Sequence, residues 1–229
     1  MPAPTEPAAW LEAAAAARQE AAAQQAARPT GGPAAGYSVL LPPGWRVIPL
    51  GEGRAKAITA ILDEVFARLG PGQSRDTLIR HRIALEQHLT RMAESARRAA
   101  GIDMYLPVEY VHGMAIPASF VVSLKSGLPG GNPADVIAAL AEEQPGAVPV
   151  TVDGAPGLRA ERTAPPDPAA DLPFGSRRVD YTIAVPQQPG HWLVSVFSTP
   201  GDGDPDGEFA RILTELFDAV MSTFRWTTQ

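Results

Sequence analysis

Arg177-Arg-Val-Asp-Tyr-Thr-Ile-Ala-Val185 and His191-Trp-Leu-Val-Ser-Val-Phe-Ser198 alternate apolar and polar side chains, and Pro186-Gln-Gln-Pro-Gly190 joins them. Period-two alternation marks a half-buried strand. Two such runs on either side of a short Pro/Gly turn read as an antiparallel hairpin. Parallel neighbours would need a crossover of a dozen residues or more, usually helical, and five residues cannot supply one.

Working outward, the following segment switches period. Residues 205–224 place Phe209, Ile212, Leu213, Leu216, Phe217, Val220, Met221 and Phe224 on one side of a helix. Upstream, Val148–Val152 and Gly157–Arg162 read as strands around the Asp153-Gly154 turn. Asn132-Pro133 opens a helix to about Glu142, with Asn132 as N-cap and proline in the first turn. Ile102–Leu106 and Ala115–Leu124 read as strands, the second nearly continuous after Pro117. Two helices precede them, over 54–69 and about 75–100, the first stopped by Gly70-Pro71. Tyr37–Leu41 and Trp45–Leu50, separated by Pro42-Pro43-Gly44, read as a hairpin-like pair. The expectation is an α+β fold: a mostly antiparallel β-sheet packed by amphipathic helices, in a single domain over 37–229.

Residues 1–36 differ in composition. Ala8–Ala27 holds 12 alanines in 20 residues, and Arg28–Gly36 is a Pro/Gly linker. Alanine favours helix but buries little apolar area, so a flexible tail is expected. The alternative is a docking helix anchored by Trp10 and Leu11. No Leu-rich run follows a basic start, which argues against a secretory signal and for a cytoplasmic protein.

Composition closes several routes. The 229 residues carry 19 Lys+Arg against 25 Asp+Glu, a net charge of −6, which argues against a nucleic-acid partner. Without cysteine there are no disulfides, thiolate metal sites or cysteine nucleophiles. No run approaches the roughly 18 apolar residues of a membrane-spanning helix. Arginine far outnumbers lysine (Lys56 and Lys125 only), the bias of a GC-rich bacterial genome.

Catalytic and metal motifs are sparse. His81 and His88 lie seven residues apart, roughly 10.5 Å along a helix, too far for one ion to bridge. No Gly-x-Ser-x-Gly elbow occurs, although a triad assembled from distant residues stays open. Gly127-Leu-Pro-Gly-Gly-Asn132 lacks the Lys-Ser/Thr of a phosphate loop. Asp202-Gly-Asp204-Pro-Asp206-Gly207 matches half of a calcium loop, but Leu213 stands where the bidentate glutamate belongs. Helix capping by Asp204 explains that segment better. Asp180 sits mid-strand, and pairing with Arg178 on the same face is the simplest account of it. No cofactor and no metal is expected.

One helix stands out by charge. Residues 75–100 carry six arginines against three acids, so that helix is +3 in a chain of −6. Arg80, Arg91 and Arg98 fall within about 20° of one another, opposite the apolar stripe. Such a row is a solvated face, a set of partners for acids elsewhere in the chain, or a docking surface for carboxylates or phosphates. Tyr105 and Trp192 are candidate aromatic anchors for a partner, with the alternative that they are core residues.

The order of landmarks resembles the PsbP-like fold group. The likeness lies in Tyr37-Ser-Val-Leu-Leu-Pro-Pro-Gly-Trp45, Tyr181-Thr-Ile-Ala-Val-Pro186, Trp192-Leu-Val-Ser-Val-Phe197 and Phe217-Asp-Ala-Val-Met-Ser-Thr-Phe-Arg-Trp226, and it covers about residues 37–226. That group includes a photosystem II subunit, a Ran-binding import factor, actinobacterial LpqN lipoproteins and Eag-type secretion chaperones. The paired helices are long for the group, and no lipobox cysteine is present. The resemblance implies a sandwich that binds other proteins, without a shared site to carry over. The function expected is a non-enzymatic protein-binding domain, an accessory factor or chaperone of a bacterial secretion or membrane-associated system. The alternative is an enzyme or small-ligand protein with a pocket between sheet and helices.

Overall fold

The computed structural model describes residues 34–69, 74–111, 114–126, 132–166 and 174–228. In chain order the elements are β1 (Ala34–Ser38), β2 (Trp45–Pro49), α1 (Arg54–Ala67), α2 (Arg75–Arg98), β3 (Gly101–Pro107), β4 (Tyr110–Val111), β5 (Met114–Ala115) and β6 (Ser119–Ser126). They continue with α3 (Pro133–Glu143), β7 (Val148–Val152), β8 (Ala155–Ala164), β9 (Ser176–Ala184), β10 (His191–Thr199), α4 (Glu208–Ser222) and β11 (Arg225–Thr228). Every strand pairing described is antiparallel, and amphipathic helices pack on the strands, so the class is α+β. The Ala-rich segment with Trp10 and Leu11, the glycine cap at Gly70, His112 and the Gly127–Gly131 turn lie outside the described residues.

The chain divides into two compact units. One is Pro43–Leu124. There β3 pairs with β2 on one side and β6 on the other, aligning Ile48, Met104 and Val121 across the three strands. Ile48, Leu50 and Met104 form one core with Ile58, Ile61 and Leu62 of α1 and Leu89 and Ala93 of α2. Side chains alternate across a strand. The opposite strand face therefore carries Trp45, Tyr105 and Phe120, with Tyr105 stacked on Phe120 at 4.3 Å and Trp45 tilted against it at 5.8 Å. Ser74 caps α2, its hydroxyl accepting from the Thr77 N–H at 3.2 Å.

The second unit joins the described residues of Met1–Pro42 to Lys125–Gln229. Here β10, β9, β8 and β7 form consecutive antiparallel pairs. On one face Leu193, Phe197, Val179 and Ile183 are buried with α4, whose Phe217 stacks on Phe197 at 4.8 Å. On the other face Trp192, Ala184 and Leu158 pack under Ile137 of α3. Asn132 caps α3 as expected, accepting from Ala134 N–H at 3.2 Å.

Three expectations fail. Tyr37–Leu41 does not pair with Trp45–Leu50: β1 pairs with β11, and Tyr37 stacks on Phe224 at 5.5 Å. Pro42 and Pro43 have no N–H to give to a ladder, and β2 finds its partner in β3 instead. The last helix is shorter than 205–224, ending at Ser222, and Arg225–Thr228 is a strand. Asp204 does not cap that helix; Gly207 is the N-cap, and Asp204 closes the preceding turn by accepting from Asp206 N–H at 3.0 Å.

Candidate functional site

The Pro43–Leu124 unit displays α2 along its whole length. The helix buries Leu89 and Ala93, and Leu78, Leu85, Met92 and Ala96 are partly covered beside them. Arg80, Arg91 and Arg98 project from the opposite side, all exposed. Arg80 to Arg98 spans about 27 Å of helix axis.

Pairing separates these arginines from the others. Arg46, Arg54, Arg68, Arg82, Arg159, Arg162, Arg177 and Arg225 each lie within 4.0 Å of a carboxylate oxygen. Among the described residues Arg75, Arg80, Arg91, Arg97 and Arg98 have no such partner; Arg80 makes only 3.4 Å contacts to its own helix. The arginines without a carboxylate partner among the described residues are concentrated on α2, with Arg178 and Arg211 the other two.

The aromatic candidates are differently placed. Tyr105 is 7 % exposed and Trp192 2 %, so neither ring is offered to solvent. Trp192 lies in the second unit, under α3, and Tyr105 in the unit that carries the arginine row.

The densest polar arrangement is one that the sequence reading missed. In the second unit, Arg159 holds Asp218 with two hydrogen bonds of 2.9 Å, and Arg159 also donates to Glu161 at 2.8 Å. Arg177 donates to the other Glu161 oxygen at 2.7 Å, and the Tyr181 hydroxyl donates to Asp218 at 2.8 Å. Burial pushes the Tyr181 phenol up, and the Asp218 charge adds to it. Burial works against the Arg159 charge, but Asp218 and Glu161 more than offset this and hold its pKa above the ordinary value. These groups satisfy one another, so the cluster clamps α4 to β8 and β9 rather than waiting for a substrate. The available signal was register: Arg159 and Tyr181 are direct cross-strand partners, and Glu161 shares their face.

On the other face of those strands is an open cavity of about 530 Å³. Leu158, Ala160, Thr182 and Val194 line it together with Arg162, Asp180 and the end of α3. Asp180 pairs with Arg162 on the neighbouring strand, not with Arg178 as its spacing suggested. Arg178 Nε is buried without a hydrogen-bond partner among the described residues. Arg162 stands opposite Arg178 in the register, one position diagonal to Asp180, and reaches the carboxylate first. No group of three His, Cys, Asp or Glu residues positioned to hold a metal occurs among the described residues. Asp206 of the acidic turn is engaged by Arg177 and by the Thr163 hydroxyl. No helix of the described residues is long and apolar enough to cross a membrane.

No family model matches the chain, and no curated protein matches it. The similarity to solved structures is partial. The Ran-binding protein Mog1p of Saccharomyces cerevisiae is 12% identical over 55% of this chain and 79% of that one, with a TM-score of 0.36. A point mutant of protein Mog1 is 11% identical over 56% of this chain and 80% of that one, again at 0.36.

Proposed function

We propose that this protein is a non-enzymatic protein-binding domain whose docking surface is the outer face of α2. The observation that carries the reading is the set of five arginines on that helix without a carboxylate partner among the described residues, in a chain where most other arginines are paired. An exposed guanidinium row is suited to carboxylates, which it grips in bidentate fashion. The chain is acidic overall, so the row is a local positive feature on a negative body, which selects for a protein segment over nucleic acid. The finer reading is a PsbP-like accessory factor or chaperone acting in the cytoplasm of a bacterium, in an actinobacterial secretion or membrane-associated system. It rests on the sequence resemblance and on the arginine-rich composition.

The test is affinity purification of the tagged protein from its native host at low and moderate salt. A dominant co-purifying protein that is lost as salt rises is expected, because exposed charge pairs are screened over about 8–10 Å at those ionic strengths. A partnerless monomer at both salts contradicts the reading.

The cavity over Leu158, Ala160 and Val194 favours a second reading, a small-ligand site. A thermal-shift screen that raises Tm with a metabolite, and loses the effect in Val194→Trp, would favour it over the first.

A further inference from the structure

The arginine row has an apolar end. Ile79 and Ile83 of α2 are 47 and 49 % exposed, and Leu69, just beyond α1, is 41 % exposed. Arg82 of α2 pairs with Asp63 of α1 at 2.6 Å and lies 5.8 Å over the Phe66 ring, while Arg54 reaches Glu94 at 3.9 Å. These contacts run in opposite chain directions, so the helices are antiparallel and residue 69 comes level with the first turns of α2. Three large aliphatic side chains therefore share one end of the helix pair, beside the exposed Arg80, and Arg91 and Arg98 lie at the other.

Resting on the α2 docking reading, we propose that the partner is an acidic amphipathic helix that docks antiparallel to α2. Its apolar residues, near its C-terminus, cover Leu69, Ile79 and Ile83; its carboxylates, near its N-terminus, meet Arg91 and Arg98. That order also places the partner's acids at the positive end of its own dipole. The length to be matched, Ile79 to Arg98, is about 28 Å, or roughly 20 residues of helix. A second copy of this chain does not fit: antiparallel α2 helices would set the Arg91 and Arg98 end of one against the Ile79 and Ile83 end of the other, and parallel ones would set arginines against arginines. A bilayer does not fit either: a helix lying in a membrane needs an apolar face along its length, and α2 spends its own on the core.

The probes are two synthetic helices of about 20 residues, built on Ala and Gln and held by the same side-chain staple. One carries a Leu pair at i, i+4 near its C-terminus and glutamates toward its N-terminus; the other has the same composition with the Leu pair set midway among the glutamates, so that neither docking direction meets both ends of α2. Titrated against the full chain by fluorescence anisotropy, the first is expected to bind saturably and about tenfold more tightly than the second. Ile79→Ser/Ile83→Ser and Arg91→Glu/Arg98→Glu are each expected to weaken it by about tenfold or more, with circular dichroism confirming the fold. Equal affinity for the two helices, or no effect of the Ile79/Ile83 change, overturns the proposed order. A loss confined to the arginine variant would then leave the α2 docking reading standing. Absence of saturable binding by either helix overturns the inference, and the host purification judges the docking reading separately. Ile79/Ile83-dependent binding to vesicles of equal phosphatidylglycerol and phosphatidylcholine overturns it in favour of a membrane.

Discussion

Arg159 and Asp218 face each other with two parallel hydrogen bonds, Nε to Oδ1 and Nη2 to Oδ2, both 2.9 Å. The pair ties the middle of β8 to the last turns of α4, with side chains only 17 and 27 % exposed. Removing Asp218 leaves the half-buried Arg159 with Glu161 alone and the Tyr181 hydroxyl without its acceptor, which is costlier than losing the attraction itself. Asp218→Ala is expected to cost about 2–3 kcal/mol in urea denaturation, with Tyr181→Phe costing about 1 kcal/mol. A cost for Asp218→Ala within the range of ordinary surface changes, about 0.5 kcal/mol, would refute the clamp.

The same cluster sets a dependence on pH at both ends. Burial alone would raise the Glu161 carboxyl, but the Arg159 and Arg177 guanidiniums outweigh it and hold its pKa below the ordinary value. A depressed folded-state pKa contributes stability above the unfolded value, and that contribution is lost as pH falls through the folded value. Unfolding free energy should fall from about pH 5 downward, and Glu161→Gln should flatten that acid limb while lowering stability at neutral pH. Tyr181 has the opposite sign: its raised pKa stabilises below the ordinary phenol value of 10.0 and is lost as pH climbs towards the folded value. In alkaline titration at 295 nm, the difference between wild type and Tyr181→Phe should show a phenol that ionises only as the protein unfolds. A difference signal that titrates while the protein is still folded would contradict this.

The end of α2 contains a local misfit. Ala100 has φ 64°, in the left-handed region where a Cβ is unfavourable, and it follows the C-cap Ala99. Ala100→Gly is expected to stabilise by about 0.5–1 kcal/mol. The neighbouring Gly101 is a different case, because an added Cβ would stand 2.6 Å from Leu50 Cδ1 and 2.7 Å from the Ala96 carbonyl. Gly101→Ala should cost about 1–3 kcal/mol. Opposite signs at adjacent positions, read by thermal denaturation, are the signature; matching signs would contradict a left-handed Ala100 beside a closely packed Gly101.

Trp192 supplies a check on the second unit. Ile137 of α3 seals it against Leu158 and Ala184. Ile137→Ala is expected to cost about 2–4 kcal/mol and to shift the Trp192 emission to the red. Unchanged emission would mean that α3 does not cover the ring.

What was legible in the sequence was local. α2 announces itself through its 3.6-residue apolar stripe, and α3 through Asn132-Pro133, because these signals act within one or two turns. The β9–β10 hairpin was equally plain, since its register follows from two alternating runs and a short turn. The β1–β11 pairing was not legible. It joins residues at opposite ends of the chain, as in the Leu40 N–H to Thr223 Oγ1 bond across 183 positions, and nothing in either segment names its partner. Pairing between charged residues was misread for a related reason. Spacing along a strand suggested Arg178 for Asp180, whereas cross-strand register gave Arg162 the shorter reach. The α2 arginine row was visible from helical angle alone, but that it lacks carboxylate partners among the described residues became visible only in three dimensions.

The measurement that bears most directly on the docking surface is charge reversal against the native partner. Wild type, Arg80→Glu/Arg91→Glu/Arg98→Glu and a control, Arg211→Glu on α4, would be compared by quantitative mass spectrometry of proteins recovered from the host, after matching their Tm values. Recovery of the dominant partner is expected to fall by about tenfold or more in the triple variant and to stay unchanged in the control. Equal recovery by all three would place the partner elsewhere and contradict the account.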